Sequence, residues 1–248
     1  MVLPVFVVTG ASKGIGRALA LELAHAGHCV YALARASNEL DSIGSQLGEI
    51  TAGSVSIECD LSNPTSIMDA AEVIIKQTDF IGGIVHNAGA IGPVKPMAGA
   101  TTDAWSHNIQ VNLIGVQDLT QRLYSLLGRT DRTRITAISS GASQRPIASW
   151  SAYCVSKAGL DMWSRCLAEE GKSIQISSVS VAPGVVDTGM QLEIRSAPPE
   201  DFPSLQSFID LHENGSLSKS ETVAKQLLGL VTSHTMEQSG QRFDVREL

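Results

Sequence analysis

Tyr153 and Lys157 stand four residues apart, and Tyr153 follows Ser140 by thirteen. On a helix, a four-residue separation puts the phenol and the ammonium on one face. A phenol titrates near pH ~10, and a neighbouring ammonium stabilises its anion and draws that value toward neutrality. Add a serine hydroxyl as a hydrogen-bond donor, and the three groups can deliver a proton to a carbonyl oxygen. Tyr-x-x-x-Lys alone also describes a helix with a buried tyrosine and a solvated lysine. The rest of the chain has to decide between the two.

Near the start runs Thr9-Gly10-Ala11-Ser12-Lys13-Gly14-Ile15-Gly16. Its spacing, G-x-x-x-G-x-G, differs from the G-x-G-x-x-G dinucleotide fingerprint, but the physical task is shared. Gly10, Gly14 and Gly16 permit tight turns and close backbone approach, with Ser12, Lys13 and Ile15 between them at the start of a helix that favours phosphate. An NAD site places Asp or Glu at the end of the second strand, about twenty residues on, to hold the ribose. This chain has Ala34 followed by Arg35. The Arg35 fork suits a 2′-phosphate, and Lys13 adds charge nearby, so NADP(H) is the expected cofactor.

The elements that must position these groups alternate along the chain. Apolar, β-branched runs predict strands over Leu3–Val8, Cys29–Ala34, Val55–Glu58, Gly83–His86, Arg134–Ser139, Gln175–Ala182 and Gln241–Val245. Amphipathic stretches predict helices over Ile15–Ala26, Asn38–Leu47, Thr65–Gln77, Thr102–Leu127, Ser151–Glu170 and Lys219–Thr232. Asn63-Pro64 reads as a helix start, with Asn63 the cap. The expectation is an α/β chain forming one domain over 1–248, a doubly wound, parallel seven-stranded sheet with helices on both faces. Gly189–Ser218, with Pro198, Pro199 and Pro203, breaks the rhythm. It reads as an irregular substrate lid over the strand ends, or as a surface insertion.

The 248 residues are 43% hydrophobic and 17% charged, which provides a core and argues against disorder. A net charge of -7 without a basic cluster argues against a nucleic-acid partner. No apolar run reaches the ~20 residues a membrane span requires. Cys29, Cys59, Cys154 and Cys166 are widely spaced, which favours reduced thiols and a cytoplasmic setting. No metal-ligand spacing is visible, so no metal is expected.

The full set of motifs resembles the short-chain dehydrogenase/reductase family. It comprises Thr9–Gly16, Asp60-Leu61, Asn87-Ala88-Gly89, Asn112, Ser140, Tyr153-x-x-x-Lys157 and Pro183-Gly184-Val185-Val186-Asp187-Thr188. The resemblance implies that Asp60 contacts the adenine amino group, that Asn87 braces the central strand and that Asn112 holds a water serving Lys157. It also implies that Val186 meets the nicotinamide carboxamide through its backbone and that Thr188 contacts the pyrophosphate. His86, where many members have Asn, is expected only to pack.

Within the family the chain is similar to the sepiapterin reductase and benzil reductase branch, and to its fungal benzil-reductase-like members. Ser139–Ser143, Trp150–Cys154, Asp187-Thr188-Gly189-Met190-Gln191 and Ser239-Gly240-x-x-Phe243-Asp244 carry that likeness. It implies substrate contacts from Ser140, Trp150, Tyr153 and Met190. Asp244 is either a pterin anchor or a solvated cap, and Trp150 either walls the pocket or is partly buried at the surface. The implied activity is NADPH-dependent reduction of a ketone or α-diketone. Alternatives are pterin side-chain reduction, alcohol oxidation, or cofactor sensing without chemistry. The family also implies a homodimer through Thr102–Leu127 and Ser151–Glu170.

Overall fold

The computed structural model describes residues 4–129 and 132–248. Strands β1 (Val5–Thr9), β2 (Cys29–Ala34), β3 (Val55–Glu58), β4 (Gly83–His86), β5 (Thr133–Ile138), β6 (Ile176–Ala182) and β7 (Arg242–Asp244) form one sheet. Leu3, where the first strand is expected to begin, lies outside the described residues. All six pairings are parallel and the spatial order is β3-β2-β1-β4-β5-β6-β7. Winding therefore reverses between β1 and β4, and a crevice opens there at the strands' carboxyl ends. Every residue of β1, β2, β4 and β6 is buried. Apolar runs without alternation, such as Val5-Phe6-Val7-Val8, are what a sheet covered on both faces demands.

Helices α1 (Gly14–His25), α2 (Asn38–Ile50) and α9 (Ser220–Ser233) cover one face, where Leu19, Leu23, Ile43, Leu47 and Leu227 are wholly buried. Helix α3 (Pro64–Gln77), with the segment Thr102–Leu126 and α6 (Ser151–Gly171), covers the other through Ile67, Ile74, Leu119 and Leu167. Asn63 Oδ1 accepts from the Thr65 and Ser66 amides at 3.0 and 3.4 Å, with Pro64 in the first turn. No helix among the described residues is long and apolar enough to cross a membrane.

Two expectations are corrected. The helix expected over Thr102–Leu127 is not uniform. It runs as α4 (Thr102–Ile109), a π turn (Gln110–Ile114), α5 (Gly115–Leu123) and a tight 3-10 turn (Tyr124–Leu126). The extra residue in the π turn is accommodated where Asn112 makes tertiary bonds, and tertiary bonds leave no mark on apolar periodicity. The segment Gly189–Ser218 is also more ordered than expected, folding into α7 (Gly189–Arg195) and α8 (Leu205–Glu213). Phe202 between them is 1% exposed and stacks on Trp150, with ring centroids 5.2 Å apart. Lys95 pairs with Asp201 beside it.

That aromatic stack is the main anchor of the segment Gly189–Ser218. Phe202→Ala should speed proteolytic cleavage within 196–215 by about tenfold or more, because local opening loses an aromatic contact. The urea midpoint of the sheet should change little. Limited proteolysis that matches wild type would refute this anchoring.

Candidate active site

The glycine turn is held by contacts that leave no room for side chains. Gly10 and Gly14 adopt left-handed φ of +66° and +57°. A Cβ on Gly10 would lie 2.8 Å from Ala88 Cα, and one on Gly16 would lie 2.3 Å from Asn87 Nδ2 and 2.4 Å from the Gly10 carbonyl oxygen. Asn87 Nδ2 donates to the carbonyls of Thr9 and Gly10 at 3.0 and 3.3 Å. The amides of Asn87 and Ala88 both donate to Thr9 Oγ1, at 3.0 and 3.1 Å. Beyond the turn, Ser12, Lys13, Gly14, Arg17, Asn38, Glu39 and Ser42 line a recess of about 410 Å³. This cradle, opening on the first turn of α1 with two cations in its wall, fits a dinucleotide phosphate.

The other residues expected at the cofactor are placed by the strands and loops that carry them. Lys13 is exposed, and its Nζ reaches to 3.7 Å from where a Gly189 Cβ would be. Arg35 is exposed just past β2 and is not one of the residues lining the recess. Ile15 packs on the core and Leu61 is 5% exposed. Asp60 Oδ1 accepts from Ser62 N and Oγ, both at 2.8 Å, in a local turn. After β6 come Pro183 and Gly184, the latter with φ +77°. Val186 bridges to Ser218 through the Val185 carbonyl and the Asp187 amide, at 3.0 and 2.9 Å, so its own amide and carbonyl are not used there. Thr188 Cγ2 would lie 3.3 Å from a Cβ on Gly14, which closes the crevice across the glycine turn.

Ser140, Tyr153 and Lys157 converge beside that crevice. Tyr153 and Lys157 are 6% and 3% exposed, whereas Ser140 at the end of β5 is half-buried. Lys157 Nζ lies 5.8 Å from the Tyr153 ring centre and donates to the Ile138 carbonyl at 2.8 Å. The sequence leads one to expect the ammonium to lower the phenol's pKa, but burial governs both groups. Burial pushes Tyr153 up to about 12, with a hydrogen bond from the Ser140 side chain opposing the rise. Burial also pushes Lys157 down to about 8, opposed by the Asp161 carboxylate. At neutral pH the phenol therefore keeps its proton, as a general acid must.

Asn112 sits in the π turn with no exposed surface. Its Nδ2 donates to the Ala90 carbonyl, Asn108 Oδ1 and Ser156 Oγ at 2.8, 2.8 and 3.1 Å, and its Oδ1 accepts from the Ala90 amide at 2.8 Å. Gly89 is where the sets meet. A Cβ there would lie 3.2 Å from Asn112 Oδ1, 3.6 Å from Lys157 Nζ and 3.9 Å from Met190 Cε. The Tyr153 hydroxyl donates to Met190 Sδ at 3.9 Å, so the thioether covers the phenol.

The other expected substrate contacts are less open. Trp150 is 5% exposed, stacked on Phe202 and edge-on to Tyr153 at 5.7 Å. Its ring is a wall behind the tyrosine and is not at the surface. Asp244 is engaged by Arg246, whose Nε and Nη2 donate to its two oxygens at 2.7 and 2.6 Å, and this pair holds the carboxyl down at about 2. His86 is 1% exposed, hydrogen-bonded to Thr120 Oγ1 at 2.8 Å and held neutral by burial, so it packs as expected.

Several supporting groups are absent from the sequence-based set. Asn108 and Ser156 complete the Asn112 network, and Arg17 and Asn38 line the phosphate recess. Arg242 Nη2 donates to the Ser140 carbonyl at 3.1 Å while its Nε pairs with Asp161 at 3.3 Å, bracing the serine from behind. Only the i, i+4 pair Asn108/Asn112 leaves a signal in the sequence, two amides on one helical face.

With this geometry in place, comparison with known proteins gives a consistent result. The short chain dehydrogenase family pattern matches residues 4–199. The chain is 34% identical over 252 residues to a benzil reductase ((S)-benzoin forming) of Bacillus subtilis, covering 98% of each. It resembles the crystal structure of the KRED1-Pglu enzyme with a TM-score of 0.88 and 32% identity, covering 96% of this chain and 99% of that one. A short chain dehydrogenase from Shigella flexneri, solved in complex with NADP, matches with a TM-score of 0.84 and 26% identity over 98% of this chain and 97% of that one. The protein belongs to the short-chain dehydrogenase family of oxidoreductases.

The buried ammonium makes a thermodynamic prediction. Its pKa is lowered on folding, so the unfolded chain binds the proton more tightly between about pH 8 and the ordinary lysine value. Folding stability is therefore penalised below that window and recovers as pH rises through it. Relative to wild type, Lys157→Met should be more stable at pH 7 than at pH 10 by about 2 kcal/mol, measured by urea unfolding at both values. An equal difference at the two pH values would contradict the burial of a charged amine.

Proposed function

We propose that this protein is an NADP(H)-dependent carbonyl reductase acting on ketones and α-diketones, similar in activity to the benzil reductases. The observation that carries the proposal is the approach of Lys157, Asn112 and Met190 to Gly89, with the Tyr153 hydroxyl 3.9 Å from the Met190 sulfur. NADPH, when bound, supplies hydride. Gly10, Gly14, Gly16, Ser12 and Lys13 would hold its phosphates, and Val186 and Thr188 the end nearer the reaction. Arg35, just beyond β2, would meet the 2′-phosphate together with Lys13.

The chain's own task is to handle the proton and the charge. Tyr153 gives its phenolic proton to the substrate carbonyl oxygen, and Ser140 Oγ donates a hydrogen bond to the same atom. Lys157, fixed on the Ile138 carbonyl, supplies positive field to the phenolate as it forms. Asn112 fixes the Ala90 backbone, and with it the floor at Gly89. The lid excludes water from above through Trp150, Phe202 and Met190. The pairing of Asp244 with Arg246 favours the diketone reading over the pterin one, because an anchoring carboxylate would first have to leave its partner.

Four free thiols suit a reducing compartment, and we place the protein in the cytoplasm. We also propose a homodimer through the outer faces of the segment Thr102–Leu126 and α6, where Ile114 of the π turn and Val155 and Met162 of α6 are 49%, 49% and 53% exposed. Light scattering should give twice the chain mass, and Val155→Glu should halve it. A monomeric wild type would defeat that assignment.

The activity is tested by following loss of reduced-nicotinamide absorbance with benzil, simple ketones and sepiapterin, using NADPH and NADH in parallel. Diketones with NADPH should be turned over fastest. Tyr153→Phe should lower kcat by ~10³ while leaving cofactor affinity nearly unchanged, since a proton donor is lost and shape is kept. Near-normal turnover by that variant would overturn the proposed role of Tyr153.

A further inference from the structure

Behind Ser140, an arginine from the edge strand closes a ring of contacts. Arg242 lies on β7, and β6 stands between that strand and β5. Its Nη2 donates to the Ser140 carbonyl at 3.1 Å, and its Nε stands 3.3 Å from Asp161 Oδ2 without hydrogen-bond alignment. Gln144 Nε2 donates to the same carboxylate oxygen at 3.3 Å, while Asp161 Oδ1 is buried without a hydrogen-bond partner. Asp161 follows Lys157 by one turn of α6, and Lys157 Nζ donates to the Ile138 carbonyl, two residues before Ser140. Two cations thus grip the end of β5 at two carbonyls, and one carboxylate serves both.

That sharing has a sign. The Asp161 carboxylate favours the ammonium form of Lys157 and opposes the fall that burial causes. A cation paired with the same carboxylate offsets part of its field. The side chains of Arg242 and Asp161 are 26% and 10% exposed, so water and salt screen the pair little. Other elements packed on α6 bring few charges. β6, the π turn and the turn Gly141–Ser143 carry no titratable side chain. α4 brings Asp103 and His107, β5 brings Arg134, the turn Lys172–Ile174 brings Lys172, and β7 adds Asp244, which Arg246 holds. Asp161 is the charge that moves Lys157, and the Cys154 thiol, next in sequence, adds to the rise of Tyr153.

We propose that Arg242 and Asp161 are positioning residues for carbonyl reduction: Arg242 fixes the backbone that carries Ser140, and the pair together balances the charge beside Lys157. This rests on the reductase reading given above. Backbone held at both Ile138 and Ser140 keeps Ser140 Oγ in place beside the substrate oxygen, where small displacements are costly in rate. The guanidinium suits the task because its planar fork reaches a carbonyl and a carboxylate at once, which an ammonium does not. The two members act on Lys157 in opposite senses. Without Arg242, an unpaired Asp161 would keep the ammonium to higher pH. Without Asp161, the buried amine would lose its proton at lower pH.

The test applies two readouts to Arg242→Gln and Asp161→Asn in the full chain. One is the pH dependence of kcat and kcat/KM for benzil reduction with NADPH. The other is NMR titration of the Lys157 ε-carbon in isotope-labelled protein, assigned by its loss in Lys157→Met, and it needs no turnover. Arg242→Gln should raise the Lys157 midpoint and Asp161→Asn should lower it, each by at least about half a pH unit. The alkaline limb of kcat/KM should move with the midpoint. Arg242→Gln should also lower kcat about tenfold or more, with NADP+ affinity little changed. Should that variant fail to fold, Arg242→Lys replaces it: the cation beside Asp161 is kept and the fork is lost, so kcat falls while the midpoint stays. Midpoints that stand still, or that move in the same sense in both variants, would overturn the charge balance. Wild-type kcat in the Arg242 variants would overturn the positioning of Ser140. If wild type reduces no carbonyl while both NMR shifts appear, the reductase reading fails, and with it the role in catalysis, whereas the charge balance stands.

Discussion

One side-chain amide crosses the seam where the sheet changes its winding. Asn87 leaves the end of β4, and its Nδ2 reaches back to two consecutive carbonyls at the end of β1. Without those bonds, the Thr9 and Gly10 carbonyls would end in a crevice with no strand partner. With them, the turn is drawn so tightly against β4 that only glycine fits at positions 10 and 16. The glycine turn at the start of α1 and the Ser140–Tyr153–Lys157 cluster beyond β5 thus share one rigid reference point. The spacing between the two half-sites is set by backbone, not by flexible side chains.

The buried Tyr153–Lys157 pair illustrates a cost that titratable side chains impose on folding. Lys157 and Tyr153 are both taken out of water, and burial moves their pKa values in opposite senses. A charged amine held at about 8 costs the folded chain on the order of 3 kcal/mol near neutrality. That is a sizeable share of the 5–15 kcal/mol by which typical domains are stable. The fully buried leucines and isoleucines on both faces of the sheet offset it. Keeping the phenol neutral and the ammonium close, in a site that water leaves, is what that cost provides.

Much of this was legible beforehand because its causes are local. Unbroken runs such as Val5-Phe6-Val7-Val8 are the mark of a strand covered on both sides, and Asn63-Pro64 announces a helix by its own hydrogen bonds. The glycines, Ser140, Tyr153 and Lys157 were legible as types at spacings. What escaped depends on contacts between distant segments. The π turn at Asn112 follows from its bonds to Ala90 and Ser156, 22 and 44 residues away. The seven- and nine-residue helices within Gly189–Ser218 are too short for periodicity to announce, and Pro198, Pro199 and Pro203 suggest irregular chain instead. The direction of the Tyr153 shift was misjudged because sequence supplies the neighbouring ammonium but not the degree of burial. Asp244 and Arg246, two residues apart, could have been recognised as a self-contained pair.

The segment Gly189–Ser218 leaves the scaffold at Thr188 and returns at Ser218, and the two departure points are stitched together by the Val185–Ser218 and Ser218–Asp187 backbone bonds. An excursion closed at its own base is mechanically independent of the sheet that bears it. Closure entropy grows only slowly with contour, by about 0.6 kcal/mol per doubling. Everything between those stitches is therefore open to being lengthened, trimmed or rewritten at small thermodynamic penalty. The excursion is in effect an exchangeable cassette, one that can be replaced while the sheet beneath it stays as it is.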